Sequence, residues 1–215
     1  MQFRRKNIRL NAFNYRGRVW FFITLCCELR RPVFANDKWA LRLIDCLKST
    51  VDRCHFSVHA FCVMPDHFHA LVEGIAPDSD LLLFVRNFKQ VTSREYSREG
   101  GTPLWQKKFY DHILRPKDSP DAVAWYIWMN PVRKGLCSQP DRYPHSGSFT
   151  GQWENKSQPQ NQWMPTWKKI SSASPQIGLP LQNLSHSKRK ENCPLPSRRT
   201  RDGRGLYKTV LRVRI

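Results

Sequence analysis

Residues 56–72 read FSVHAFCVMPDHFHALV: two apolar runs, Phe56 to Met64 and Phe68 to Val72, set apart by Pro65 and Asp66. Aromatic and β-branched residues favour strands, and proline beside aspartate favours a turn, so the stretch predicts a β-hairpin with a tight connection. Both strands read as central. Alternation along the second strand sets His67 and His69 on one face, about 7 Å apart at Cα. Phe68, Ala70 and Val72 take the other face, where helices would cover the sheet.

The flanking sequence supplies those helices and two further strands. Residues 18–26, from Arg18 through Trp20, Phe21, Phe22 and Ile23 to Cys26, read as a strand buried on both faces. Asn36 can cap a helix in which Ala40, Leu43, Ile44, Leu47 and Val51 recur at helical spacing. Asp78 or Ser79 can cap a second helix, with Leu81, Phe84, Val85, Phe88 and Val91 on its inner face and Gly100 and Gly101 at its end. Residues 109–114 add a short fourth strand. Ser119 with Pro120 opens a third helix that runs to about Met129, before Pro131 disfavours helical geometry at Asn130. Strand, helix, strand, strand, helix, strand, helix is a ferredoxin-like α+β order with one extra helix.

With 36 Lys plus Arg against 17 Asp plus Glu, the formal net charge is +19 and the pI about 10.1, which points to a polyanion partner. The excess is not confined to one end, since residues 1–150 hold 23 basic and 14 acidic side chains. Residues 151–215 carry Gln, Ser, Pro, Lys and Arg without lasting periodicity, and read as a basic, low-order tail behind a domain at 1–150. Trp153, Trp163 and Trp167 could dock a short part of that tail. The longest apolar run, Val19 to Cys27, is about half the length of a membrane helix and meets Glu28, Arg30 and Arg31 without a cleavage site. A cytoplasmic, nucleoid-associated protein with no membrane contact is expected. Seven cysteines without a Cys-x-x-Cys pair predict reduced thiols rather than a zinc site. Neither GxxxxGK[ST] nor GxSxG occurs, which sets aside nucleotide hydrolysis and the common serine hydrolases.

A bare His-x-His has two readings: an ion grip, or two polar residues on an exposed strand. What weights the first is a set of further motifs in order. Met64-Pro65-Asp66-His67-Phe68-His69, Leu104-Trp105-Gln106, Phe109-Tyr110-Asp111-His112, Tyr126-Ile127 with Asn130-Pro131-Val132, and Tyr143-Pro144 follow the early aromatic strand. Together, over residues 14–148, they resemble the REP-associated tyrosine transposases, a branch of the HUH single-tyrosine transposases of small insertion sequences. The tail after Gly151 has no counterpart in that resemblance.

The resemblance implies an antiparallel sheet with the catalytic helix near the face opposite the other helices. It implies Tyr126 as nucleophile, attacking single-stranded or hairpin DNA to leave a 5′-phosphotyrosine and a free 3′-hydroxyl. It implies Mg²⁺ or Mn²⁺ on His67 and His69. Hard cations prefer oxygen, so a further ligand is needed, and Asn130, four residues after Tyr126, is the implied one; capping the helix before Pro131 is its other reading. Tyr96 and Tyr110 are alternative nucleophiles. Alternation also places His55 and His59 on one strand face. Trp105, Trp125 and Trp128 offer rings for unpaired bases, and Arg86, Lys89, Arg94, Lys107, Lys108 and Arg115 offer charge for a DNA track. A non-catalytic nucleic-acid-binding module on the same fold is the alternative function. Monomer and homodimer are both compatible with the sequence.

Overall fold

The computed structural model describes residues 15–101, 103–151 and 158–166. Aromatic and β-branched residues form β1 (Trp20–Cys26), and the hairpin forms as expected from β2 (Phe56–Met64) and β3 (His67–Gly74). Short strands β4 (Tyr110–Ile113) and β5 (Ser146–Gly147) complete an antiparallel sheet of order β4-β1-β3-β2-β5. The first four strands stand in the ferredoxin-like order.

Helix α1 (Asp37–Cys54) starts where the Asn36 side chain accepts a hydrogen bond from the Lys38 N–H at 3.0 Å, and His55 closes it in a left-handed conformation. Helix α2 (Leu81–Arg98) is capped by Asp80, whose Oδ1 accepts from the Leu83 N–H at 3.0 Å. Neither Asp78 nor Ser79 performs that role: the Ser79 hydroxyl instead donates to the His55 carbonyl at 2.6 Å and ties the ends of α1 and β3 together. Ser119 caps α3 (Pro120–Trp128), its hydroxyl accepting from the Ala122 N–H. Helical geometry relaxes at Met129 and resumes in a single turn, α4 (Asn130–Arg133), so Pro131 bends the path without ending it.

The sheet has a packed layer on each side. Phe21, Ile23, Leu25, Phe68, Ala70 and Val72 face α1 and α2 in the larger core. Phe22, Ala60, Cys62, Met64 and Leu71 face α3 in the smaller one. The switch of face within β2, from Val58 to Ala60, comes from a register irregularity at His59. Phe68 is fully buried and its ring lies 5.4 Å from that of Phe88 on α2. Phe68→Ala is therefore expected to cost about 3–5 kcal/mol, read as a lower urea midpoint at unchanged slope.

The six described cysteines are unpaired. No described helix is long and apolar enough to cross a membrane.

Candidate active site

Pairing of β3 with β1 places Thr24 opposite His69 and Cys26 opposite His67. Thr24 Oγ1 and His69 Nδ1 share a buried hydrogen bond of 2.8 Å. The His67 Nδ1–H donates to the Asp66 carboxylate, a side chain that strand alternation alone assigns to the other side. Turn geometry at Pro65–Asp66 frees Asp66 from that alternation, and it also receives Arg30 at 3.2 Å. Each imidazole thus has Nδ1 fixed by an oxygen, so Nε2 is the atom either would present to a metal ion, with the ring orientation already set. The two ring centroids are 4.6 Å apart. Burial pushes His67 below the ordinary histidine pKa against the opposing pull of Asp66, which favours the neutral, ligating form.

Neither histidine lies on an open strand face. His69 is 2% exposed, and its ring packs 5.5 Å from Phe22 and 6.4 Å from Tyr126. Tyr126 comes from α3, which lays its ring on Phe22 at 5.9 Å, edge to face. The structure therefore brings Tyr126, His67 and His69 together from two elements 57 or more residues apart in sequence. Tyr96 is elsewhere, against Trp39 at 4.9 Å on the α1–α2 side. Tyr110 is nearer, with its ring 6.0 Å from Phe22.

The end of α3 is tied to this site by α4. The Asn130 Nδ2 donates to the Tyr126 and Ile127 carbonyls at 3.0 and 3.1 Å, and an Arg133 Nη2–H donates to the same Tyr126 carbonyl at 2.6 Å. Asn130 thus performs the capping role with its nitrogen, and any metal ligation would use Oδ1. Sequence reading passed over Arg133. Its guanidinium lies 4.4 Å from the Tyr126 ring centroid, so it both holds the backbone of Tyr126 and covers its π face. Burial pushes the Tyr126 phenol up to about 12, with Arg133 acting in the opposite sense. The only signal for Arg133 in the sequence is its spacing of seven from Tyr126, two helical turns on one face.

Other expectations sort themselves by layer. Trp105 and Trp128 are buried, donating their indole N–H to Thr92 Oγ1 at 2.8 Å and to the Gly147 carbonyl at 3.1 Å. Trp125 instead lines a cavity of about 240 Å³ along α3 with Met129 and Arg133. Arg86, Lys89 and Arg94 belong to α2, across the sheet from the histidines, and the Lys89 ammonium donates to the Gln106 and Lys107 carbonyls. Lys107 and Lys108 are exposed just before β4, and Arg115 is exposed just after it. His55 and His59 do not share a face: His55 is the exposed end of α1, while His59 stacks on Trp20 at 4.0 Å and pairs with Glu73 at 2.8 Å.

Part of the predicted tail lies on the domain. In segment 158–166, Trp163 sets its ring 5.3 Å from Tyr126, 5.0 Å from Phe22 and 5.6 Å from His112. Trp153 and Trp167 are outside the described residues.

Among the described residues no three His, Cys, Asp or Glu side chains converge as a ready metal group. Two imidazoles with rings pre-set by Asp66 and Thr24 suit a divalent ion whose coordination is completed by oxygen ligands such as substrate oxygens and water. Asp66→Asn keeps the shape but weakens the hold on His67. It is expected to lower Mn²⁺ affinity about 10- to 100-fold by calorimetric titration, with little change in melting temperature.

Comparison with known proteins gives the family and the fold. The family model for IS200-like transposases matches residues 17–129, more than half of the chain. A REP-associated tyrosine transposase of Escherichia coli is 26% identical over 131 residues, spanning 61% of this chain and 76% of that protein. An uncharacterized protein of Haemophilus influenzae is 26% identical over 159 residues, spanning 60% of this chain and 88% of its own. Among solved structures, a REP-associated tyrosine transposase bound to a REP hairpin superposes with a TM-score of 0.55 at 23% identity, covering 65% of this chain and 81% of that one.

Proposed function

Because the chain belongs to the IS200-like transposase family, we propose that it is a metal-dependent single-strand DNA endonuclease and strand transferase that works through a 5′-phosphotyrosine. The observation that carries the reading is the packing of Tyr126 on His69, with His67 beside it, in one site assembled from α3 and β3. That is where a nucleophile and an electrophilic metal would have to meet.

In this reading Tyr126 Oη loses its proton and attacks the scissile phosphorus. A phosphotyrosine bond forms at the 5′ side, the bond to the 3′ oxygen breaks, and that oxygen leaves as a free 3′-hydroxyl after taking a proton. The phosphodiester energy is kept in the covalent link, so rejoining to another 3′-hydroxyl needs no nucleotide. Arg133 holds the backbone of Tyr126 and sets a positive charge over its ring, which favours the phenolate that a buried tyrosine otherwise resists. Mg²⁺ or Mn²⁺, held through His67, His69 and the Asn130 oxygen, would polarise the phosphate and offset its developing charge. Asp66 and Thr24 keep both imidazoles oriented for that duty.

The substrate is a folded single strand, a hairpin with unpaired bases at its foot. Its kind is suggested by the relative whose structure is bound to a REP hairpin, and the +19 charge suits any such polyanion. Lys107 and Lys108 before β4 and Arg115 after it offer exposed cations beside the strand that carries Tyr110 and His112, and Arg86, Lys89 and Arg94 lie on α2 across the sheet.

The test mixes the protein with 5′- and 3′-labelled hairpins, with and without Mn²⁺ or Mg²⁺, and follows a denaturation-resistant adduct. A metal-dependent adduct on the 5′-phosphate side is the expected result. Binding without an adduct, across varied hairpins, would move the function to the non-catalytic module.

A further inference from the structure

After β1 the chain turns over the end of the sheet that carries His67, since Cys26 pairs with His67 across the ladder. The Cys27 N–H donates to the Asp66 carbonyl at 2.9 Å, and the Glu28 N–H donates to the Leu104 carbonyl at 2.8 Å. The Arg31 guanidinium donates to the Pro103 carbonyl, and the Arg31 N–H returns to the Glu28 carbonyl at 3.2 Å. Both roots of this loop are therefore fastened, to the turn before His67 and to residues 103 and 104.

Its crest is built differently. Leu29 and Arg30 both take left-handed backbone, with φ of 53° and 55°, which a bulky side chain adopts only when its surroundings impose it. The Leu29 side chain gains no packing in return. It is 81% exposed, the highest value for a large apolar side chain among the described residues, where glycine would relieve the turn and a polar residue would suit the solvent.

One exposed leucine is ordinary on a protein surface. This one stands among cations at the rim of the proposed active site. Arg30 reaches the Asp66 carboxylate that holds His67, and Arg30 and Lys134, both exposed, come close enough to His67 to oppose its protonation. Glu28, the one acid of the loop, is partly buried at its root. A raised apolar tip beside positive charge has the form of a wedge: the cations take phosphates, and the tip takes the face of a base that has lost its stacking partner. The tip has no hydrogen-bonding group, so it recognises a junction and not a sequence.

We infer that Leu29 is a wedge for hairpin DNA, packing on the last base pair of the stem where the duplex gives way to the unpaired strand that runs to His67 and Tyr126, with Arg30 on the adjoining phosphate. The inference rests on the transposase reading and adds to it a residue that tells a hairpin foot from plain single strand. The unfavourable backbone at 29 and 30 is then kept for the tip it raises.

The test uses the full chain carrying Tyr126→Phe, so that binding is read without cleavage, and compares it with the same chain carrying Leu29→Ala, Leu29→Gly or Leu29→Met. The ligands are a hairpin with a single-stranded 5′ extension and an unstructured strand of the same composition. Leu29→Ala should weaken hairpin binding about tenfold and leave the unstructured strand unchanged, while Leu29→Met should keep hairpin affinity within about twofold. Leu29→Gly should weaken hairpin binding as alanine does without lowering the melting temperature, because glycine relieves the left-handed turn. 2-Aminopurine in the last pair of the stem should brighten on binding to the chain with Leu29 and not to the chain with Leu29→Ala. Unchanged hairpin affinity for Leu29→Ala, a loss shared equally by the unstructured strand, or a terminal pair that never brightens would each overturn the wedge and leave the transposase reading standing. No binding of any hairpin by the Tyr126→Phe chain would overturn both.

Discussion

Tyr126→Phe eliminates the covalent protein–DNA adduct, an expected loss on the order of 10⁴-fold or more in cleavage, because a phenyl ring has no oxygen to form the phosphodiester link. The fold should hardly notice. The ring's contacts with Phe22, His69 and Trp163 are all made by carbon faces and edges that phenylalanine preserves. The measurement is adduct yield on denaturing gels with melting temperature alongside. Tyr96→Phe and Tyr110→Phe provide the contrast. Tyr96 is on the far side of the sheet against Trp39, so its substitution should leave the yield unchanged. An adduct that survives Tyr126→Phe and disappears with Tyr110→Phe would move the nucleophile to β4.

His67→Ala and His69→Ala should each lower adduct yield by roughly 10²-fold or more at saturating DNA, since each removes half of the imidazole pair that would hold the metal. The two differ in what else they break. His69 is 2% exposed and bonded to Thr24, so its removal leaves the threonine hydroxyl without that partner and should also cost about 1–3 kcal/mol of stability. His67 sits at the rim of the site beside Asp66, and its loss should be nearly silent in thermal melts. Mn²⁺ titration by calorimetry, followed by adduct assays with added chelator, separates metal loss from unfolding. If chelator and His67→Ala both leave the adduct intact, the metal plays no part in the chemistry.

The sheet and both large helices were legible because their signals are local. Alternation around His67-Phe68-His69 assigned Phe68, Ala70 and Val72 to the helix-covered face, which is where they pack. Asn36 and Ser119 cap the helices they were expected to cap, for the reason that a side-chain oxygen there satisfies an otherwise orphaned N–H. What could not be read came from elsewhere. Asp66 escapes strand alternation because it belongs to a turn, so its bond to His67 is invisible to a period of two. Arg133 lies beyond the proline that marks the expected helix end, and only a helix that resumes at Asn130 brings it back onto Tyr126. Trp163 reaches the site from a stretch with no periodicity, through contacts that no local pattern encodes.

The irregularity at His59 has a consequence for how the gene can change. It lets residues 59 and 60 both serve the α3 side of the sheet, and every later position of β2 inherits that phase. Deleting one codon between 61 and 64 with the bulge kept would invert the rest of β2 against the nucleophile's helix, whereas losing His59 itself would leave Val58 opposite Val72 and Ala60 opposite Leu71 in unbroken pairing. Insertions and deletions should therefore accumulate among descendants of this sequence in the turns at 75–79 and 114–118 and, within β2, at the bulge, whereas the stretch from Phe61 to Met64 keeps its length even as its identities drift.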